Sequence, residues 1–113
     1  MKYRKSSHLQ LRLLGEHCLL SHDIVIRTSD SNPIYSTING IRLNSPKSVK
    51  IGSNVWIAPN TKIMKGAIIG DGSIIGSDSM VNKEIPKNCL AVGHPARVVK
   101  ENVMWRGEKL FEV

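Results

Sequence analysis

Residues 51–85 read IGSNVWIAPNTKIMKGAIIGDGSIIGSDSMVNKEI, and Ile51, Ile57, Ile63, Ile69, Ile75 and Val81 fall six apart in it without a slip. The position after each is mostly small: Gly52, Ala58, Met64, Gly70, Gly76 and Asn82. Position five of the hexad is Val55, Thr61, Ala67, Ser73 and Ser79, again small, until Ile85. A helix turns six-spaced residues to different sides and cannot bury this set together. A β-sandwich, whose strands alternate with period two, leaves the hexad unexplained. A parallel β-helix accounts for it: short strands stack coil on coil, and the aliphatic first position fills a narrow interior.

The same period is present upstream. Leu14, Leu20 and Ile26 are six apart, with Cys18 and Ile24 at position five. From Ile26 to Ile51 is 25 residues, one more than four hexads, so the register breaks between them. The break, SDSNPIYSTINGIRLNSPKSVK, is rich in Asn, Gly, Pro and Ser and reads as an excursion from a regular coil. We place this excursion at about residues 32–50 and a C-terminal extension at about 93–113, within a single domain spanning residues 1–113. In the extension, Val98, Val99, Val103 and Met104 suggest a short strand and then a turn or helix covering the end of the coil, anchored by Trp105.

Bulk composition narrows the function. Five aromatic residues among 113 leave the core to Ile, Val, Leu and small side chains. The formal charge of +7 suits an anionic partner such as nucleic acid, an acidic sugar or a phosphorylated cofactor. Scattered basic residues with few aromatics among them count against nucleic acid. Cys18 and Cys89 match no CxxC spacing and read as small buried thiols in a reducing compartment. Gln10 and Arg12 interrupt the N-terminal apolar run, and no stretch approaches the ~18–20 apolar residues that cross a bilayer, so the expectation is a cytoplasmic protein. A coil this short leaves its ends and flat faces to be covered by extra segments or other subunits.

IGSNVWIAPNTKIMKGAIIGDGSIIGSDSMVNKEIP followed by AVGHPARVV resembles the C-terminal half of the hexapeptide-repeat acyltransferases, in the pattern IGxxSxIGxxSxVxKxIPxxxxxxGxPAR. IRTSDSNPIYS with INGIRLNSPKSVKIGSNVW is similar to the members that O-acetylate bacterial capsular and cell-surface polysaccharides. The resemblance implies an all-β, left-handed parallel β-helix of hexapeptide repeats with three hexads per coil. It also implies a homotrimer, with acetyl-CoA as acyl donor, no metal, and a saccharide acceptor.

Site residues follow from the same resemblance. Acyl transfer to a hydroxyl needs a base for its proton and donors for the oxyanion. In the resembling enzymes a His on the excursion, in an SDxHxI motif, is that base, and an aromatic residue 24 positions later lines the acceptor pocket. Here Asn32 stands in the His position of SDSNPI, and Trp56 follows it by 24 residues. An amide is not a useful proton acceptor, so the expectation is impaired activity or a base supplied elsewhere, by His22 or Asp30. For acetyl-CoA the resemblance points to Pro59, Ser77, Asn82, Lys83 and Arg97, with Lys100 assisting and His94 as a turn residue. Asn82 replaces a frequent Thr.

Two other readings remain open. A β-helix that binds CoA without turning it over would be a non-catalytic subunit. Gamma-type carbonic anhydrases share the scaffold and bind zinc through three His, two of them five residues apart, a spacing His17 and His22 reproduce.

Overall fold

The computed structural model describes residues 3–5 and 12–107, with side chains between residues 14 and 107. It is a three-sided parallel β-helix in which 18 residues make one regular coil and each side is a sheet of stacked short strands. The first coil holds β2 (Arg12–Leu14), β3 (Leu19–Leu20) and β4 (Ile24–Ile26). The second holds β5 (Lys50–Ile51), β6 (Trp56–Ile57) and β7 (Lys62–Ile63), and the third β8 (Ile68–Ile69), β9 (Ile74–Ile75) and β10 (Met80–Val81). The fourth holds β11 (Glu84–Ile85) and β12 (Cys89–Gly93), from which β13 (Ala96–Glu101) turns back antiparallel. Sheet I stacks β1 (Tyr3–Lys5), β4, β7 and β10; sheet II stacks β2, β5, β8 and β11; sheet III stacks β3, β6, β9, β12 and β13.

The hexad is the reason for this geometry. The first-position residue points inward, so Ile51, Ile57, Ile63 and Ile75 have no exposed surface and Ile69 has 1%. Each contributes on the order of 1.5–3 kcal/mol by leaving water. Position five also points inward, at the corners: Val55, Thr61, Ala67 and Ser73 are fully buried. The buried hydroxyls are satisfied, with Thr61 Oγ1 donating to the Ala58 carbonyl at 2.9 Å and Ser73 Oγ to the Pro86 carbonyl at 2.6 Å. A third element of the repeat sets the corners. Asn54, Asn60, Gly66, Gly72 and Asp78 occupy position four, six apart, and all five have φ between 57° and 81°. Asn, Asp and Gly tolerate that left-handed conformation best, and the chain bends there between sheets.

Two expectations change. Ile85 is no position-five residue: it pairs with Ile69 in sheet II and fills the core at 1% exposure, so the repeat drops two residues between Val81 and Ile85 before resuming at Ala91. The C-terminal extension forms the expected short strand, β13, but the segment after it does not cover the end of the coil. Beyond β13 it runs back along sheet III, where Val103 N–H donates to the Asn88 carbonyl at 3.0 Å and Trp105 Nε1 to the Asn54 carbonyl at 2.7 Å. Among the described residues none is helical, and residues 108–113 lie outside the described region.

The excursion leaves sheet I after Ile26 and returns to sheet II at Lys50, so it projects from the edge between those sheets. Its base is closed by Lys47 N–H donating to the carbonyl of buried Thr28 at 2.9 Å. Its arm is a hairpin, with Tyr35 bridging Arg42 and Ser36 N–H donating to the Ile41 carbonyl at 2.9 Å. The arm carries exposed Ile34, Tyr35, Ile38, Ile41 and Leu43, with Ile38 at the tip 93% exposed.

Candidate active site

Asn32 sits at the root of that arm, exposed, on the I–II edge. Its backbone is fixed from both sides. Asn32 N–H donates to the Asp30 carbonyl at 2.9 Å, and the Asn32 carbonyl accepts from Asn44 Nδ2 at 2.9 Å. Asn44 is buried and fully used, since the same amide nitrogen donates to Asp30 Oδ2 at 3.0 Å and its Oδ1 accepts from Ile34 N–H at 2.6 Å. Lys65, one coil along the same edge, reaches Asp30 Oδ2 at 2.5 Å and the Ser45 carbonyl at 3.2 Å. The Lys65 and Asn44 hydrogen bonds hold the Asp30 carboxyl below its ordinary value of 3.8. A carboxylate so held is a poorer proton acceptor, which argues against Asp30 as the replacement base. Neither Asn44 nor Lys65 stands out in the sequence, because only the folded excursion brings them to residue 32.

The residues expected to meet acetyl-CoA divide between two edges. Pro59 and Ser77 occupy equivalent places on the III–I edge, one coil apart, and the coils are tied there by Asp78 N–H donating to the Pro59 carbonyl at 3.1 Å and by Asn60 Nδ2 donating to Asp78 Oδ1. Arg97 continues this line: it is exposed in β13 opposite Val92, whose side chain lies where a Cβ on Gly76 would fall. At the other end is His22, in the first-coil turn, whose carbonyl accepts from Asn60 N–H at 3.1 Å. The III–I edge therefore runs His22, Pro59, Ser77, Arg97 from the first coil to the fourth. Asn82 and Lys83 are exposed on the I–II edge, directly after β10. Sheet I separates them from Pro59 and Ser77.

Trp56 stands apart from Asn32. It points outward from sheet III in a row with Leu19, Ile74 and Leu90, half-buried, its ring centroid 5.9 Å from that of Trp105 and tilted by 47°. The indole pair covers the coil flank. Beyond Trp105, along the II–III edge, lies a cavity of about 430 Å³ lined by His17, Asn54, Gly72, Asn88 and Met104, and no residue assigned to CoA or acceptor reaches it. His17 and His22 sit at opposite ends of β3, on the II–III and III–I edges. Cys89 is buried and Cys18 half-buried, both as free thiols, and Cys18 Sγ donates to the Gly52 carbonyl at 3.1 Å.

Comparison with known proteins places this geometry. Residues 48–83 match the model for the bacterial transferase hexapeptide (six repeats). The chain is 44% identical over 92 residues to a polysialic acid O-acetyltransferase of Escherichia coli O1:K1, covering 81% of this chain and 30% of that protein. The crystal structure of another polysialic acid O-acetyltransferase superposes with a TM-score of 0.81 at 42% identity, over 86% of this chain and 46% of the other. A galactoside acetyltransferase in complex with coenzyme A superposes with a TM-score of 0.66 at 28% identity, over 86% of this chain and 51% of the other. The chain thus spans between 30% and 51% of the length of these relatives. In its repeat, its excursion and its left-handed three-sided coil, this chain belongs to the hexapeptide-repeat acyltransferases.

Proposed function

We propose that this chain transfers acetyl groups from acetyl-CoA to a sugar hydroxyl of a cell-surface polysaccharide or its precursor, as a homotrimer in the cytoplasm, with a rate lowered by Asn32. The observation that carries the reading is the division of the expected site between two edges of one prism. His22, Pro59, Ser77 and Arg97 lie on the III–I edge, whereas Asn32, Asn82 and Lys83 lie on the I–II edge. One chain cannot close its own groove. Two copies set edge to edge would place the excursion of one against the cofactor line of the other, and a ring of such head-to-tail contacts closes. The apolar arm, with Ile38 and Leu43 exposed, supplies the surface such a contact would cover.

In that groove the thioester arm lies along the small residues of the III–I edge, where Pro59 and Ser77 present backbone and little bulk. Arg97, Lys83 and Lys100 offer cations to the phosphates at the nucleotide end, Arg97 with a fork of donors. Trp56 offers an aromatic face for a sugar ring on the adjoining flank. At the excursion, the Asn32 amide can orient a hydroxyl by hydrogen bonding but cannot take its proton.

The test is transfer and CoA release from acetyl-CoA against a panel of acidic and neutral saccharides, with the Asn32→His variant alongside. A general base contributes on the order of 10²–10⁴ in rate, which sets the upper bound on the gain expected of the variant. CoA binding with no turnover in either protein would instead mark a non-catalytic subunit. An unchanged rate in Asn32→His would remove the excursion from the chemistry.

A further inference from the structure

With Asn32 unable to accept a proton, we infer that His22, oriented by Asp23, is the general base of this chain; the inference rests on the acetyl-CoA reading above. Three observations converge on it. The first is position along the III–I edge. If the nucleotide end is at Arg97 in the fourth coil and the arm passes Ser77 in the third and Pro59 in the second, the acyl group emerges level with the first coil, one strand spacing of about 4.8 Å beyond Pro59. The residue there is His22, tied to the second coil by the bond from Asn60 N–H to its carbonyl at 3.1 Å.

The second is orientation. His22 Nδ1 lies 3.1 Å from Asp23 Oδ2, a contact between sequence neighbours made possible by the left-handed conformation of Asp23, φ 59°. With Nδ1–H donating to the carboxylate, Nε2 carries the lone pair, the arrangement in which a carboxylate steadies a basic imidazole. Both side chains are exposed, at 67% and 63%, so no described residue obstructs an approaching substrate.

The third is elimination. Asp78, on the same edge, accepts from Asn60 Nδ2, and Asp30, across sheet I, is engaged by Lys65 and Asn44 and its pKa is lowered. His17 faces the II–III edge, a full strand away.

The step balances without any further reagent. His22 Nε2 removes the acceptor hydroxyl proton as that oxygen attacks the thioester carbonyl. The tetrahedral intermediate then collapses with cleavage of the C–S bond, and the imidazolium returns the proton to the departing thiolate, giving an O-acetyl sugar and free CoA. His22 and a histidine restored at position 32 would serve one groove from different chains.

The experiment compares the unaltered chain with His22→Gln and Asp23→Asn in single-turnover acetyl transfer, with CoA affinity measured by calorimetry. His22→Gln is expected to lower the transfer rate by about 10²-fold or more while leaving CoA affinity within twofold, and Asp23→Asn to lower it less, since it removes orientation and not the base. Adding Asn32→His to His22→Gln should recover turnover, showing that the groove is intact. Transfer by His22→Gln at the parental rate overturns the inference. So does a parental chain that binds CoA and has no turnover for His22→Gln to remove, an outcome that leaves the cofactor reading standing. Loss of CoA binding in the unaltered chain defeats the cofactor reading itself, and the inference falls with it.

Discussion

Asn44 and Lys65 decide where residue 32 stands, and they do so through one carboxylate. Because hydrogen bonding depresses the Asp30 pKa in the folded state, the stabilisation it gives is present above the unfolded carboxylate value and is lost as pH falls through the lowered folded one. The excursion root should therefore hold at neutral pH and loosen only in acid. Removing the first-ranked partner, as in Lys65→Met, should move the Asp30 titration up toward 3.8, read by carboxyl carbon NMR, and speed amide exchange at Ile34. An unmoved Asp30 titration would mean that the ion pair does not hold the loop. None of this was legible in the sequence. SDSNPI identifies residue 32 by motif, but the amide that clamps it arrives from 12 residues away and shows its buried, fully bonded state only after folding.

At the scale of the strand and its turn, most of the coil could be read directly. A six-residue aliphatic period requires a narrow interior, and Ile51 to Ile75 fill it as expected. Two features escaped. Position four carries the left-handed turn residues with the same period, a signal available in Asn54, Asn60, Gly66, Gly72 and Asp78 but masked by its mixture of residue types. Ile85 satisfies a six-residue count from the small position as well as the true core place, so the two-residue drop is set by stacking on Ile69 and not by local preference. The next coil lies close against Gly70, where an added Cβ would lie 2.4 Å from Lys87 N and 2.7 Å from Lys87 Cα, both backbone. At Gly76 the obstacle is the Val92 side chain, 2.3 Å away at Cγ1, which can turn aside. Gly70→Ala should thus lose about 1–3 kcal/mol or more in urea denaturation, and clearly more than Gly76→Ala. Equal losses would contradict the register described for the fourth coil.

Across the whole molecule, the prism supplies three edges of different character: the line of His22, Pro59, Ser77 and Arg97 on III–I that is proposed to take CoA, an excursion with an apolar arm on I–II, and a cavity covered by Trp105 on II–III. The motif at Arg97 and the six-residue repeat made the first visible in sequence. The position of Trp105 was not, because its anchor at Asn54 is 51 residues distant. The central claim is that the III–I edge receives the thioester. It is tested most directly by calorimetric titration of CoA into the unaltered chain and into Ser77→Tyr, a change at an exposed corner that leaves the core untouched and obstructs the edge between Pro59 and Arg97. The account predicts saturable binding to the first and at least a tenfold weaker affinity for the second. Equal affinity in the two proteins would contradict it.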